Sequence, residues 1–147
     1  MHGRLKVKTT EQQKLEKKIA QGKKLKAFQH ANGAFIAKLN SKTFDDEGMA
    51  ICTQILAVNP DYNTMWNYRK QYFDIVGATL PHDEFQSKLT AELSFIQSCL
   101  QNNPKSYGSW HQRCYVTLKM GPDCNWKREL DLCNQFLQVR FYWGFSM

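Results

Sequence analysis

Apolar residues recur along this chain at the three- and four-residue spacing of helices that bury one face. They fall at Met49, Cys52, Ile55 and Leu56, then at Met65, Trp66, Tyr68, Tyr72, Phe73 and Val76. Two further sets follow: Phe85, Leu89, Leu93, Ile96 and Leu100, then Tyr107, Trp110, Cys114, Tyr115 and Leu118. Polar or turn-forming segments separate them. Asn40 to Phe44 is a polar connector, and Asp45 or Asp46 caps the helix that follows. Gly77 to Pro81 reads as a turn, Asp83 and Glu84 open the next helix, and Gly121-Pro122 closes the last complete one. Upstream, Thr10 to Leu39 reads as one long helix or two short ones, with Thr10 and Gln13 in a capping-box pattern. Leu15, Ile19, Phe28, Phe35, Ile36 and Leu39 give it a discontinuous stripe, and Gly22 and Asn32-Gly33 mark kinks or a break.

The middle of the chain repeats itself. Asn103-Pro104-Lys105-Ser106-Tyr107-Gly108-Ser109-Trp110-His111-Gln112-Arg113 follows Asn59-Pro60-Asp61-Tyr62-Asn63-Thr64-Met65-Trp66-Asn67-Tyr68-Arg69 by 44 residues, with Asn, Pro, Trp and Arg in register. A period of this size signals stacked helical hairpins. In each copy Asn-Pro ends one helix: Asn tolerates a left-handed turn, and Pro starts the next helix, where its missing N–H is not needed. A third copy begins at Trp126 to Gln138, with Glu129-Leu130 corresponding to Glu92-Leu93, Cys133 to Ile96 and Leu137 to Leu100. It then gives way to the divergent residues 139–147. The expected organisation is therefore a basic tail at 1–9, an all-α repeat domain at 10–138 of about two and a half copies, and a divergent tail at 139–147. An unpaired helix with an apolar tail makes a poor solenoid end, so a truncated or alternatively spliced piece of a longer protein is expected.

Composition narrows the classes. Of 147 residues, 42% are apolar, which is ordinary for a folded domain. No apolar run approaches the roughly 20 residues of a membrane span. The basic N-terminus lacks the apolar segment of a secretory signal, and Met1-His2 lacks the glycine that myristoylation needs. The net charge of +7 owes much to Arg4, Lys6, Lys8, Lys14, Lys17, Lys18, Lys23, Lys24 and Lys26. Aromatic residues hardly interleave with these lysines, which reads as a solvated helix face and disfavours nucleic acid. Five scattered cysteines without a C-x-x-C pair fit free thiols in a reducing, cytoplasmic setting. His111 and Cys114 share a face, but two ligands do not make a metal site, and none is assigned.

Repetition separates scaffold from the rest. Asn59, Pro60, Trp66 and Arg69 recur as Asn103, Pro104, Trp110 and Arg113, so they serve a need of every hairpin. The tryptophans are expected as wedges between helices, and each arginine, three residues on, as the partner of a neighbouring carbonyl or acid. Lys105, Tyr107 and His111 do not recur; their counterparts are Asp61, Asn63 and Asn67. A lysine beside a helix N-terminus opposes the helix dipole, yet together they suit an anion. Drift between copies and an anion site both remain open from periodicity alone.

Helix pairs carrying Asn-Pro-x-x-x-x-x-Trp-x-x-Arg resemble the repeats of protein prenyltransferase alpha subunits. Met1-His2-Gly3-Arg4-Leu5-Lys6-Val7-Lys8-Thr9 is similar to the start of the type II class, which modifies Rab GTPases. The resemblance covers roughly residues 1 to 138. It implies a right-handed superhelix of antiparallel hairpins wrapped around a beta subunit, which holds zinc and most of the lipid pocket; no cofactor is implied for this chain. A zinc-bound cysteine thiolate at the C-terminus of a Rab GTPase, presented by a Rab escort protein, attacks C1 of geranylgeranyl diphosphate and diphosphate leaves. Lys105 matches the lysine that reaches the diphosphate, and Tyr107 a tyrosine at the same junction; His111 joins them as a substrate-binding residue. His2 is a weaker candidate, able to reach an open metal position in the partner.

Two other readings compete. One is a non-catalytic, tetratricopeptide-like adaptor, disfavoured by a period longer than the roughly 34 residues of that repeat and by Lys105-x-Tyr107. The other is a basic nucleic-acid binder, which would show steep salt dependence.

Overall fold

A computed structural model describes residues 10–145, the stretch after 138 as backbone alone. Six α-helices follow one another: α1 Glu11–Asn40, α2 Asp46–Val58, α3 Asn63–Gly77, α4 His82–Asn102, α5 Tyr107–Met120 and α6 Trp126–Phe145, with a 3-10 turn at Gly121–Asp123 before α6. No strand occurs among the described residues. Helices α2 and α3 form one hairpin and α4 and α5 the next. The hairpins stack with like helices adjacent, α2 against α4 and α3 against α5, as a 44-residue repeat requires. The backbone of α6 continues past Gln138, the expected end of the helix, to Phe145.

Helix α1 is one unbroken helix. Thr10 and Gln13 form the expected capping box, Thr10 Oγ1 accepting from the Gln13 N–H at 3.2 Å and Gln13 Oε1 from the Thr10 N–H at 3.0 Å. Gly22 and Gly33 lie inside it without a break, because thirty residues share the ladder and nothing crowds either position. The expected apolar stripe does not hold together. Phe35 is fully buried, whereas Leu15, Ile19 and Phe28 are 59%, 52% and 43% exposed. At 3.6 residues per turn Leu15 and Phe35 sit about 200° apart around the axis, so they cannot share a face. Among the described residues, only the C-terminal part of α1 packs, where the Phe35 ring stands edge-on to Tyr62 and Tyr68 at 6.0 and 5.4 Å.

The core runs between the two hairpin layers through Leu56, Met65, Trp66, Leu89, Ile96, Leu100 and Val116. Asp45 caps α2, its Oδ1 accepting from the Gly48 N–H at 2.8 Å. Tyr68 crosses to this cap, donating to the Thr43 carbonyl at 2.6 Å, and a Cβ on Gly48 would overlap its hydroxyl.

The conserved spacing of the two copies has a different cause from the one read off the sequence. Asn59 and Asn103 are not left-handed, with φ of −131° and −143°. Each acts through its side chain, Oδ1 accepting from the N–H two residues on, Asp61 or Lys105, at 3.3 Å. Nor does proline start a helix: α3 and α5 begin three residues later, at Asn63 and Tyr107. The proline carbonyl is what the motif needs. Trp66 Nε1 donates to Pro60 O at 2.7 Å, and Trp110 Nε1 to Pro104 O at 3.0 Å. A six-residue spacing thereby folds the turn back onto the indole that wedges the hairpin.

The arginines bind both partners expected of them. Arg69 donates to the Met49 carbonyl in its own hairpin at 3.0 Å and forms a two-pronged pair with Glu92 of α4, Nε to Oε2 being 2.9 Å. Arg113 repeats this with the Leu93 carbonyl at 3.1 Å and Glu129 of α6 at 2.6 and 2.8 Å. The correspondence of Glu92 and Glu129 in sequence is thus a correspondence of role. Cys133 and Leu137 differ from Ile96 and Leu100 in being exposed, since no described helix covers that side of α6.

Candidate functional site

The loop Asn103–Ser106 leads into α5 and is pinned at several points. Asn103 Oδ1 holds the Lys105 N–H, Trp110 holds the Pro104 carbonyl, and the Ser106 N–H donates to Asn103 O at 3.1 Å. Ser106 is fully buried. Its hydroxyl caps α5, accepting from the Ser109 N–H at 3.3 Å, and reaches Pro60 O in the loop of the preceding copy at 3.2 Å. Gly108 brings α5 onto α3: a Cβ there would lie 2.8 Å from Asn63 Oδ1 and 2.9 Å from Trp66 Cδ1.

The non-repeated residues emerge from this buried frame into solvent. Lys105 and His111 are exposed, and Tyr107 is 83% exposed. Tyr107 and His111 are one turn apart on α5 and share a face, with Lys105 on the loop just before it. The structure therefore brings the three to one end of α5. The scaffold residues divide from them, Trp66, Arg69 and Arg113 being buried and Trp110 half-buried against Phe136. No acidic side chain among the described residues pairs with the Lys105 ammonium. Lys105 immediately precedes Ser106, the N-cap of α5, and a lysine in that place suits an anion.

The same face continues along α5 to Cys114 and Leu118 and across to α3. Lys70 of α3 lies over the Tyr115 ring at 5.8 Å, and burial lowers its pKa below the ordinary lysine value. The single hydroxyl hydrogen of Tyr115 is shared between the Lys70 carbonyl, at 2.9 Å, and Asp74, and Lys119 pairs with Asp74 at 2.7 Å. Burial, then the Asp74 contact, raises the Tyr115 hydroxyl well above the ordinary phenol range, so it stays protonated and acts as a fixed donor. Sequence reading missed Ser106, Gly108 and Lys70: their counterparts, Tyr62, Thr64 and Cys114, also differ in type, and what sets them apart is their packing between copies.

His2 lies outside the described residues. Among the described residues, no three His, Cys, Asp or Glu side chains are grouped to hold a metal ion, and no helix is long and apolar enough to cross a membrane. A shallow cleft between the end of α4 and α6 is lined by Gln97, Gln101, Pro104, Leu132, Gln135 and Phe136, and by none of Lys105, Tyr107 and His111.

The model of the protein prenyltransferase alpha subunit repeat matches residues 45–75 and 89–120, the two stacked copies. The chain is similar to the geranylgeranyl transferase type-2 subunit alpha of Homo sapiens, 42% identical over 139 residues, 95% of this chain and 24% of that protein. The Dictyostelium discoideum subunit of the same name is 29% identical over 139 residues, 93% of this chain and 44% of that one. Subunit alpha 1 of Arabidopsis thaliana is 31% identical over 121 residues, 81% of this chain and 17% of that one. The chain thus spans about a quarter of the length of the mammalian relatives it matches.

Proposed function

Since the chain belongs to the protein prenyltransferase alpha subunit family, we propose that it is the alpha subunit, or a shorter form of it, of a type-2 geranylgeranyl transferase. In this reading it joins a beta subunit, and together they transfer a geranylgeranyl group from geranylgeranyl diphosphate to C-terminal cysteines of a Rab GTPase presented by an escort protein. The beta subunit supplies the zinc.

The observation that carries the reading is Lys105, a cation at the start of a helix, unpaired with any described acid and set on a loop pinned to the neighbouring repeat. As the C1–O bond of the diphosphate ester breaks, negative charge gathers on the leaving oxygens. An ammonium held at that place stabilises the transition state more than the ground state, by about 2–4 kcal/mol for one well-placed donor. Tyr107, in the first turn of α5, and His111 one turn on add further hydrogen-bonding groups along the same edge. The backbone around Lys105 is held before substrate arrives, which lowers the cost of orienting it.

The test uses the heterodimer of this chain with a type-2 beta subunit. Lys105→Ala is expected to lower the single-turnover rate on a Rab substrate while leaving assembly intact; an unchanged rate refutes the role of Lys105. Failure to recover the beta subunit in a pull-down refutes the partnership. The chain alone is expected to be inactive, and prenylation of a Rab without added beta subunit contradicts that.

A further inference from the structure

We propose that Ser106 is a positioning residue that aims Lys105, acting through the hydrogen bond between its hydroxyl and the carbonyl of Pro60 in the preceding repeat. The inference rests on the reading of Lys105 above and adds to it a source of alignment that lies in another repeat.

Four features of the loop support it. Ser106 is fully buried although it lies between two exposed side chains, Lys105 and Tyr107. A small polar residue buried in such a place has a bonding task. Its hydroxyl sits 3.2 Å from Pro60 O and 2.9 Å from Ser109 Oγ, and it accepts the Ser109 N–H. With the cap on α5 accepting and the bond to Pro60 donating, one oxygen joins the first turn of α5 to the turn before α3. Pro60 O is itself fixed, since it also accepts from Trp66 Nε1 at 2.7 Å. The anchor at the far end is therefore an indole packed in the core, 1% exposed.

The other copy shows that this link is not part of the general hairpin. Position 62, the counterpart of Ser106, is a tyrosine that makes no side-chain cap and instead donates to Asn32 of α1 at 2.8 Å. The scaffold bonds, Asn Oδ1 to the turn N–H and Trp to the proline carbonyl, are present in both copies. The inter-repeat serine bond occurs, among the described residues, where the non-repeated lysine and tyrosine also occur. A hairpin thus folds without it, and what the extra bond fixes is the direction in which residues 105 and 107 leave the backbone. Small displacements of a catalytic group are costly, on the order of a hundredfold in rate for about 1 Å.

The experiment is a double-mutant cycle in the heterodimer of this chain with a type-2 beta subunit, read as single-turnover geranylgeranyl transfer at saturating geranylgeranyl diphosphate. Ser106→Ala is expected to slow transfer about ten- to a hundredfold, and to slow the Lys105→Ala enzyme no further. Ser106→Thr, which keeps the hydroxyl, is expected to restore most of the rate. If Lys105→Ala slows transfer but Ser106→Ala does not, or slows both backgrounds equally, the positioning role is overturned and the reading of Lys105 stands. If Lys105→Ala itself leaves the rate unchanged, both fall. A second measurement is independent of the partner: in the 15N-labelled chain alone, Ser106→Ala is expected to lower the amide order parameters of Lys105 and Tyr107. The control Asp45→Ala, which removes another helix cap, is expected to leave them as they were. Equal order at residues 105 and 107 with and without the hydroxyl overturns the proposal even where the heterodimer variant fails to assemble.

Discussion

Replacing Glu92 by alanine tests the buried frame most directly. The Glu92 side chain is 1% exposed and accepts bonds from Arg69 Nε, Arg69 Nη2 and Gln112 Nε2, the last at 3.2 Å. Among the described residues, Glu92→Ala leaves the Arg69 guanidinium, itself 5% exposed, with the Met49 carbonyl and Thr53 hydroxyl as acceptors and the Phe95 ring beside it. Removing one member of a buried pair costs about 3–5 kcal/mol, because the survivor stays charged and dry. For a chain of this size each kcal/mol lowers the melting temperature by about 2–4 °C, so a fall of about 6–20 °C is expected. The counterpart Glu129 is 12% exposed and, among the described residues, accepts bonds from Arg113 alone, so Glu129→Ala should cost less, about 1.5–3 kcal/mol. Urea unfolding at pH 7 measures both, provided the slopes match wild type. Arg69→Met with Glu92→Leu removes both charges and should be more stable than Glu92→Ala alone. The reasoning fails if Glu129→Ala is as damaging as Glu92→Ala, or if the double variant is the least stable.

Other outcomes follow from the packing and titration of single groups. Gly108→Ala should destabilise by about 1–3 kcal/mol in thermal unfolding, since its Cβ meets a core indole, whereas Gly22→Ala, in open space within α1, should stabilise by about 0.5–1 kcal/mol. The Lys38 ammonium, followed by the Gly48 N–H, holds the Asp45 carboxyl below its ordinary value of 3.8. Its stabilisation is therefore present above that value and lost as pH falls through the lowered one. In urea titrations the gap between wild type and Asp45→Asn should be full at pH 7 and close on acidification; a gap that widens contradicts the assignment. Burial raises the Cys52 thiol to about 12 and Cys99 to about 11, and also raises Cys124, while Cys114 and Cys133 are exposed. Ellman's reagent at pH 8 should titrate two thiols quickly and the other three only on unfolding.

Much of the fold was legible because repetition supplies its own control. The helix pairs, the cap at Thr10, the narrowing of the next cap to Asp45 or Asp46, and the matching of Glu92 with Glu129 follow from periodicity and capping chemistry. The stripe in α1 misled because apolar residues twenty positions apart were grouped without following their angle around the axis. The job of Asn-Pro was misassigned because turn propensity speaks of φ, and here the side-chain amide and the proline carbonyl carry the bonds. At the site, the contrast between copies picked out Lys105, Tyr107 and His111, which the structure shows facing solvent. It passed over Ser106, since a serine in a turn resembles any other until its depth and its partner in a distant loop are known.

The Arg–Glu pairs have a direction. Each arginine sits in the second helix of one copy, yet its carboxylate comes from the first helix of the next, Arg69 to Glu92 and Arg113 to Glu129. The cooperative module is thus out of phase with the sequence period: α3 with α4, and α5 with α6, are electrostatically wedded across the junction that a repeat parser would choose as a border. A graft or truncation designed at Gly77–Pro81 strands a guanidinium on one side and an acid on the other, and loss of α6 orphans Arg113 while leaving Arg69 satisfied. Erosion of such an array from its far end should accordingly advance by one charge pair at a time, never by a whole hairpin.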